Sequence, residues 1–251
     1  MLGRELVRAT GAEGLTRGEL DVTDSRAVQE AIGPGDLVIN CAAWTDVDGA
    51  ESHADEAQRV NAGGAGNVAR AAGTVAYVSS DYVFDGRKRE PYLESDSPHP
   101  LSSYGRSKLE GERATAAANP RHFIVRSAWL FGPGGSNFVD TMLRLGPEVR
   151  VVDDQVGCPT FTAHLADAVA ELIKSESFGV HHLAASGTCS WFEFAREIFA
   201  LAGWHVELTP CTTAEFPRPA PRPAWSVLGS ERGHRLPHWR EGLQAYLGVR
   251  V

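Results

Sequence analysis

Lysine is scarce in this chain. Among 251 residues it occurs only at Lys88, Lys108 and Lys174. Arginine carries most of the positive charge, and the formal balance is −8 at pH 7. A general nucleic-acid binder needs a basic surface, so that class is excluded. A nucleotide ligand is not excluded, because it needs only a local pocket. Cysteine is also sparse: Cys41, Cys158, Cys189 and Cys211 lie far apart with no C-x-x-C pair. Reduced, structural thiols in a cytosolic protein are therefore expected. Histidine and cysteine do not fall at ligand spacing, so no metal site is expected. No run of roughly eighteen apolar residues is present, so no transmembrane helix is expected. No signal-peptide pattern opens the chain. Internal repeats and low-complexity tracts are missing too, apart from a Pro-rich run at 217–223.

What is present is an alternation of apolar runs and helical patterns. This predicts an α/β fold built on a doubly wound parallel sheet. The length allows a full core without disulfides or metals. The stretch Val75 to Glu112 organises the rest. Val75-Ala76-Tyr77-Val78 suits a buried strand. Ser79, Ser80 and Asp81 fall where that strand ends, and ligands of open α/β sheets bind at such ends. Further on, Tyr104 and Lys108 stand four apart in a segment of helical character, which puts them on one helix face. A phenol beside an ammonium is a proton donor. Lys108 is expected to lower the Tyr104 pKa from its ordinary value of about 10. Ser80 is placed to hold a carbonyl oxygen. The competing reading is a core tyrosine and a surface lysine that share a face by chance. The scarcity of lysine weighs against it.

In chain order, 2–7 opens an amphipathic helix, and Gly14–Arg17 reads as a weak strand. Asp24 or Thr23 can cap a helix over 25–32. Asp36 to Ala43 is the clearest strand, bounded by Gly33, Pro34 and Gly35. Its small end, Cys41-Ala42-Ala43, lets a flat ligand lie against the backbone. A long helix is expected over 54–72, with Asn61 inside it as a structural bracket. Strands follow at 121–126, 149–152 and 179–184, with helices up to 145 and over 163–174. His182 is expected to be a structural hydrogen-bonder. Ser190 caps a helix over 191–201. The chain is Pro-interrupted up to Pro223, and a last helix spans 239–247.

Ser80, Tyr104 and Lys108 resemble the Ser/Thr-Tyr-Lys set of the extended short-chain dehydrogenase/reductases. The phrases S-S-D-Y-V-F-D-G (79–86) and Y-G-R-S-K-L-E-G-E (104–112) are narrower. With A-A-W-T-D-V-D-G-A-E (42–51), D-Q-V-G-C-P-T (154–160) and R-P-A-W-S-V-L (222–228), they are similar to the dTDP-4-dehydrorhamnose reductase family. The resemblance runs from Gly3 to the last helix. It implies a Rossmann-like part over 1–131 completed by 158–184, and a substrate lobe from 132–157 and 185–251. It implies reduction of the 4-keto group of a dTDP-linked 6-deoxysugar by NADPH, with NADH as the alternative. Ser80, Tyr104 and Lys108 are then the catalytic set.

On the same resemblance, Gly3, Arg17, Asp21, Val22, Cys41, Ala42 and Ala43 join Tyr104 and Lys108 around the cofactor. Arg17 is the candidate for a 2′-phosphate. Trp44, Asp81, Tyr82, Trp129, Gln155 and Arg222 face the sugar nucleotide, with the Arg222 fork suited to its diphosphate. Gly3 matches the third glycine of a G-x-x-G-x-x-G fingerprint. The strand and two glycines that precede it in the family are not in this sequence, so Met1 is expected to lie inside a longer reading frame. Weak cofactor binding is expected of the chain as it stands. A monomer or homodimer is expected, with no nucleic-acid or membrane partner. A dehydratase of the same superfamily needs a Glu after Asp81, and Tyr82 stands there. A 4-epimerase must hold its cofactor through both half-reactions, which the incomplete fingerprint disfavours. A non-catalytic regulatory subunit is the reading from another class, and an intact triad argues against it.

Overall fold

The computed structural model describes residues 1–248. Its centre is a four-stranded parallel sheet. Strand β1 (Leu37–Asn40) pairs with β2 (Thr74–Val78), β2 with β3 (His122–Arg126), and β3 with the Gly179–His182 strand. Parallel strands need cover on both faces, and their residues alternate between those faces. Ala76, Phe123 and Val125 pack on one side against Leu165, Val169 and the Leu2–Thr10 helix residues Leu2 and Leu6. Val75 packs on the other side against Val28, Val68 and Ala69, and Tyr77 and Ile124 against Ala65. This is the doubly wound arrangement the alternating pattern predicts.

Two glycines seat the helix that carries Tyr104 and Lys108. That helix spans Ser103–Ala118, and its cap, Ser102, accepts the Gly105 amide with its side chain. A Cβ on Gly105 would collide with the Tyr82 carbonyl, and one on Gly111 with Asn61 and Tyr77. Only glycine lets the helix settle this closely onto Tyr82, Asn61 and Tyr77.

A second core lies beyond the sheet. Phe131, Phe161, Phe194, Ile198, Trp239, Leu243 and Tyr246 pack together there. The Trp191–Ala202 helix enters it through a capping box formed by Ser190 and Glu193.

Several expectations need correction. Gly14–Arg17 is no strand. Its backbone is used in a turn: the Thr16 amide and hydroxyl both donate to the Glu19 carboxylate, and Leu20 N–H donates to the Thr16 carbonyl. The strand expected over 36–43 is only Leu37–Asn40, because the Asn40 side chain accepts the Ala42 amide and turns the chain away. The helix over 54–72 is interrupted by a wider π turn at Arg59–Gly64. The helix after Asn137 stops at Met142. Glu207–Cys211 forms a strand despite Pro210, paired in parallel with Glu148–Val152. It lies at the edge of a two-stranded sheet, where a missing N–H is tolerated.

Candidate active site

Ser80 follows β2 and opens a short turn over Asp81–Val83. Its hydroxyl accepts the Tyr82 amide at 3.1 Å and donates to Asp81 Oδ1 at 3.0 Å. Asp81 is 2% exposed, and its Oδ2 has no hydrogen-bond partner among the described residues. Burial pushes this carboxyl up to about 7, against the opposing pull of Ser226 and Ser80. Tyr82 and Tyr104 meet edge to face at 5.9 Å. Ser80 acts on the Tyr104 phenol as well. The structure therefore brings Ser80, Asp81, Tyr82 and Tyr104 together at the carboxyl end of β2.

Lys108 lies one turn along from Tyr104 and is 2% exposed. Its Nζ donates to the Val78 carbonyl at 2.7 Å and lies 4.2 Å from the centre of the Tyr77 ring. An ammonium has three donors, so two remain unused among the described residues. The expected lowering of the Tyr104 pKa is not found. Burial pushes that phenol up to about 12, with Ser80 pulling it back and Asp81 adding to the rise. Lys108 is itself pushed down to about 7 by burial, with Glu112 and Cys41 opposing. Lys108 is held by the Val78 carbonyl and lies over the Tyr77 ring, and the shift of the Tyr104 phenol comes from burial, Ser80 and Asp81.

This has a consequence for stability. The unfolded chain keeps the Lys108 proton up to an ordinary value of about 10.4, while the folded chain releases it near 7. Between those values the unfolded state binds more protons, so stability rises with pH. The penalty is complete below the folded value and fades as pH climbs towards the unfolded one. Thermal melts should show the wild type gaining on Lys108→Met from pH 7 to about pH 9. Parallel pH dependences in the two proteins would contradict this charge assignment.

On the β1 side, Cys41 comes close enough to Lys108 for each to shift the other. Ala42 and Ala43 continue as half-buried backbone. Trp44 is fixed by Asn61, whose Oδ1 accepts the Trp44 amide at 2.8 Å. Asn61 Nδ2 donates to the Trp44 carbonyl and to Ser107 Oγ. Asn61 is a bracket, as its place in the helix suggested. The chain's N-terminus, two residues before Gly3, also comes close enough to Cys41 to shift it. Asp21 accepts the Thr23 amide and hydroxyl, and Val22 packs over Gly64. Arg17 lies in an exposed turn. A Cβ on Gly3 would meet nothing within 4 Å, so no described neighbour requires glycine there.

On the opposite side, Arg222 reaches both Tyr82 and Asp48. Trp129 has φ 48°, a strained conformation for a bulky residue. It stacks on Trp191 with ring centres 3.5 Å apart and planes 2° apart. Gln155 is buried and donates through Nε2 to Thr213 Oγ1 at 2.9 Å. His182 Nδ1 pairs with the Tyr92 and Gly229 carbonyls, a structural role.

The family described as RmlD substrate binding domain matches residues 1–250. The chain belongs to that family. It is similar to a dTDP-4-dehydrorhamnose reductase of Mycolicibacterium smegmatis, with 42% identity over 97% of this chain and 81% of that protein. It is also similar to the spore coat polysaccharide biosynthesis protein SpsK of Bacillus subtilis, with 40% identity over 99% of this chain and 94% of that one. Among solved structures, a dTDP-4-dehydrorhamnose reductase of Clostridium acetobutylicum superposes with a TM-score of 0.94 at 42% identity, covering 99% of this chain and 95% of that chain. One of Bacillus anthracis, in complex with NADP, gives 0.95 at 37% identity, covering 100% and 95%.

In this RmlD-family chain, sequence reasoning missed Asp48, Arg218, Trp191 and the buried Glu112–Arg126 pair. Glu112 lies inside a phrase already singled out, and its i, i+4 spacing from Lys108 is the one signal that pointed to it. Asp48 and Arg218 are separated by 170 positions, and no local pattern joins them.

Proposed function

We propose that this chain reduces the 4-keto group of a dTDP-linked 6-deoxyhexose with NADPH, NADH being the alternative donor. The substrate is dTDP-4-dehydrorhamnose or a closely related sugar, and the product is dTDP-rhamnose or its counterpart. The observation that carries this reading is the meeting of Ser80, Tyr104 and Lys108 at the end of β2, in a chain of this family. Tyr104 gives its proton to the carbonyl oxygen, which Ser80 holds by hydrogen bonding. The two unused donors on buried Lys108 fit ribose hydroxyls, and Cys41, Ala42 and Ala43 leave open backbone beside them. When bound, NADPH supplies the hydride. The division that goes with this reading is a cofactor half over 1–131 with 158–184 and a substrate lobe over 132–157 with 185–251, with Phe131 and Phe161 crossing into the second core and Leu236 into the sheet core. No helix among the described residues is long and apolar enough to cross a membrane. A cytoplasmic monomer or homodimer is the setting proposed.

The test is loss of nicotinamide absorbance when the chain meets NADPH and dTDP-4-dehydrorhamnose. Consumption that requires the sugar is expected. A chain that binds both ligands without consuming either would favour the non-catalytic alternative.

A further inference from the structure

The Pro-rich strap at 217–223 is tied to the cofactor half by one carboxylate. Asp48 Oδ2 accepts Arg218 Nε at 3.0 Å and Nη2 at 2.6 Å. The same carboxylate accepts Arg222 Nη2 at 3.0 Å, while Oδ1 accepts Arg222 Nη1 at 2.9 Å and the Ala220 amide at 3.1 Å. Burial would raise this carboxyl, but Arg222 and Arg218 hold it well below the usual carboxylate range. One carboxylate thus faces two guanidinium groups and leaves positive charge unneutralised, in a chain whose formal balance is −8. A guanidinium has five N–H donors; Arg222 also gives Nη1 to the Ala220 carbonyl at 3.0 Å and bonds Tyr82, and each group still keeps at least one donor that these bonds do not use.

The order of groups matters. Tyr104 touches Tyr82, Tyr82 touches Arg222, Arg222 shares Asp48 with Arg218. Exposure grows along this line, from 17% for the Arg222 side chain to 50% for Arg218. A nucleotide sugar has the same order: the hexose at the chemistry, then two phosphates, then the nucleoside outside. Prolines at 217, 219, 221 and 223 limit the strap's backbone freedom, so little ordering is needed when a ligand binds.

We infer that Arg218 and Arg222 form a two-arm clamp for the diphosphate of the substrate, and that Asp48 is the positioning residue that sets both arms. The inference rests on the nucleotide-sugar reading above. Arg218 doubles the number of forks that match phosphate oxygens. Asp48 keeps the two cations side by side, which they would otherwise resist, and aligns them before the ligand arrives.

The experiment is calorimetric titration of dTDP into the wild type, Asp48→Asn, Asp48→Glu, Arg218→Ala and Arg222→Ala. NADPH titrations, thermal melts and steady-state kinetics run alongside. The Kd for dTDP is expected to rise about tenfold or more in Asp48→Asn, Arg218→Ala and Arg222→Ala. KM for the sugar nucleotide should rise with it. The Kd for NADPH should stay within about twofold, and Asp48→Glu should recover much of the affinity for dTDP. Arg218 is exposed, so its variant tests the clamp even where Asp48→Asn folds poorly. A wild type that binds dTDP, with Arg218→Ala binding equally well, overturns the clamp alone. A wild type that does not bind dTDP at all overturns the proposed function, and the clamp with it.

Discussion

Tyr104→Phe is expected to lower kcat by about 10²–10⁴-fold, the usual loss when a general acid is removed. The change deletes one oxygen and leaves the ring in place. The ring keeps its edge contact with Tyr82, and the Lys108 bond to the Val78 carbonyl does not pass through it. Melting temperature and the Kd values for NADPH and dTDP should therefore barely move. Burial holds the phenol at about 12, so the proton is on Tyr104 throughout the neutral range. The donor is loaded before the substrate arrives. Steady-state kinetics with the sugar nucleotide check the prediction. A variant that keeps more than half the native rate would take the proton-donor role away from Tyr104.

Local signals were legible where local physics decides the structure. The run Val75–Val78 is apolar because both sheet faces are covered, and β2 stands where it was expected. Ser190 and Glu193 have capping-box spacing, and the helix begins there. The Tyr104–Lys108 spacing placed both on one face of a helix, as observed. Signals failed where a distant partner decides. Gly14–Arg17 is a local exception: Glu19, only three residues on from Thr16, folds it into a turn. Glu207–Cys211 looks broken by Pro210 until it finds Glu148–Val152. The direction of the Tyr104 pKa shift depends on burial, which four-residue spacing cannot reveal. Asp48 and the strap it holds are joined only by the three-dimensional fold.

The largest stability loss is expected from breaking the buried pair behind the site. Arg126 Nε donates to Glu112 Oε1 at 2.9 Å and Nη2 to Oε2 at 2.7 Å, with the two side chains 4% and 6% exposed. Ser79 Oγ adds a third bond to Glu112. Arg126 also lies over the Phe84 ring at 5.2 Å, with His182 Nε2 at 3.4 Å. These contacts join the end of β2, the end of β3 and the Tyr104 helix, the elements that carry Ser80, Trp129 and Lys108. Glu112→Leu would leave a buried guanidinium without its counter-charge, which costs about 3–5 kcal/mol. For a chain of this size that corresponds to a fall in melting temperature of roughly 6–20 °C. Removing both charges behaves differently, because no buried guanidinium is left without its carboxylate, although Lys108 still loses the support of Glu112. The double variant Glu112→Leu/Arg126→Leu should lose much less than the sum of the single changes, a coupling that denaturant melts of all four proteins can measure. Additive losses would mean that the pair contributes packing volume and not charge compensation. A single-variant loss below about 1 kcal/mol would mean that water reaches the site and screens it, as at an exposed ion pair.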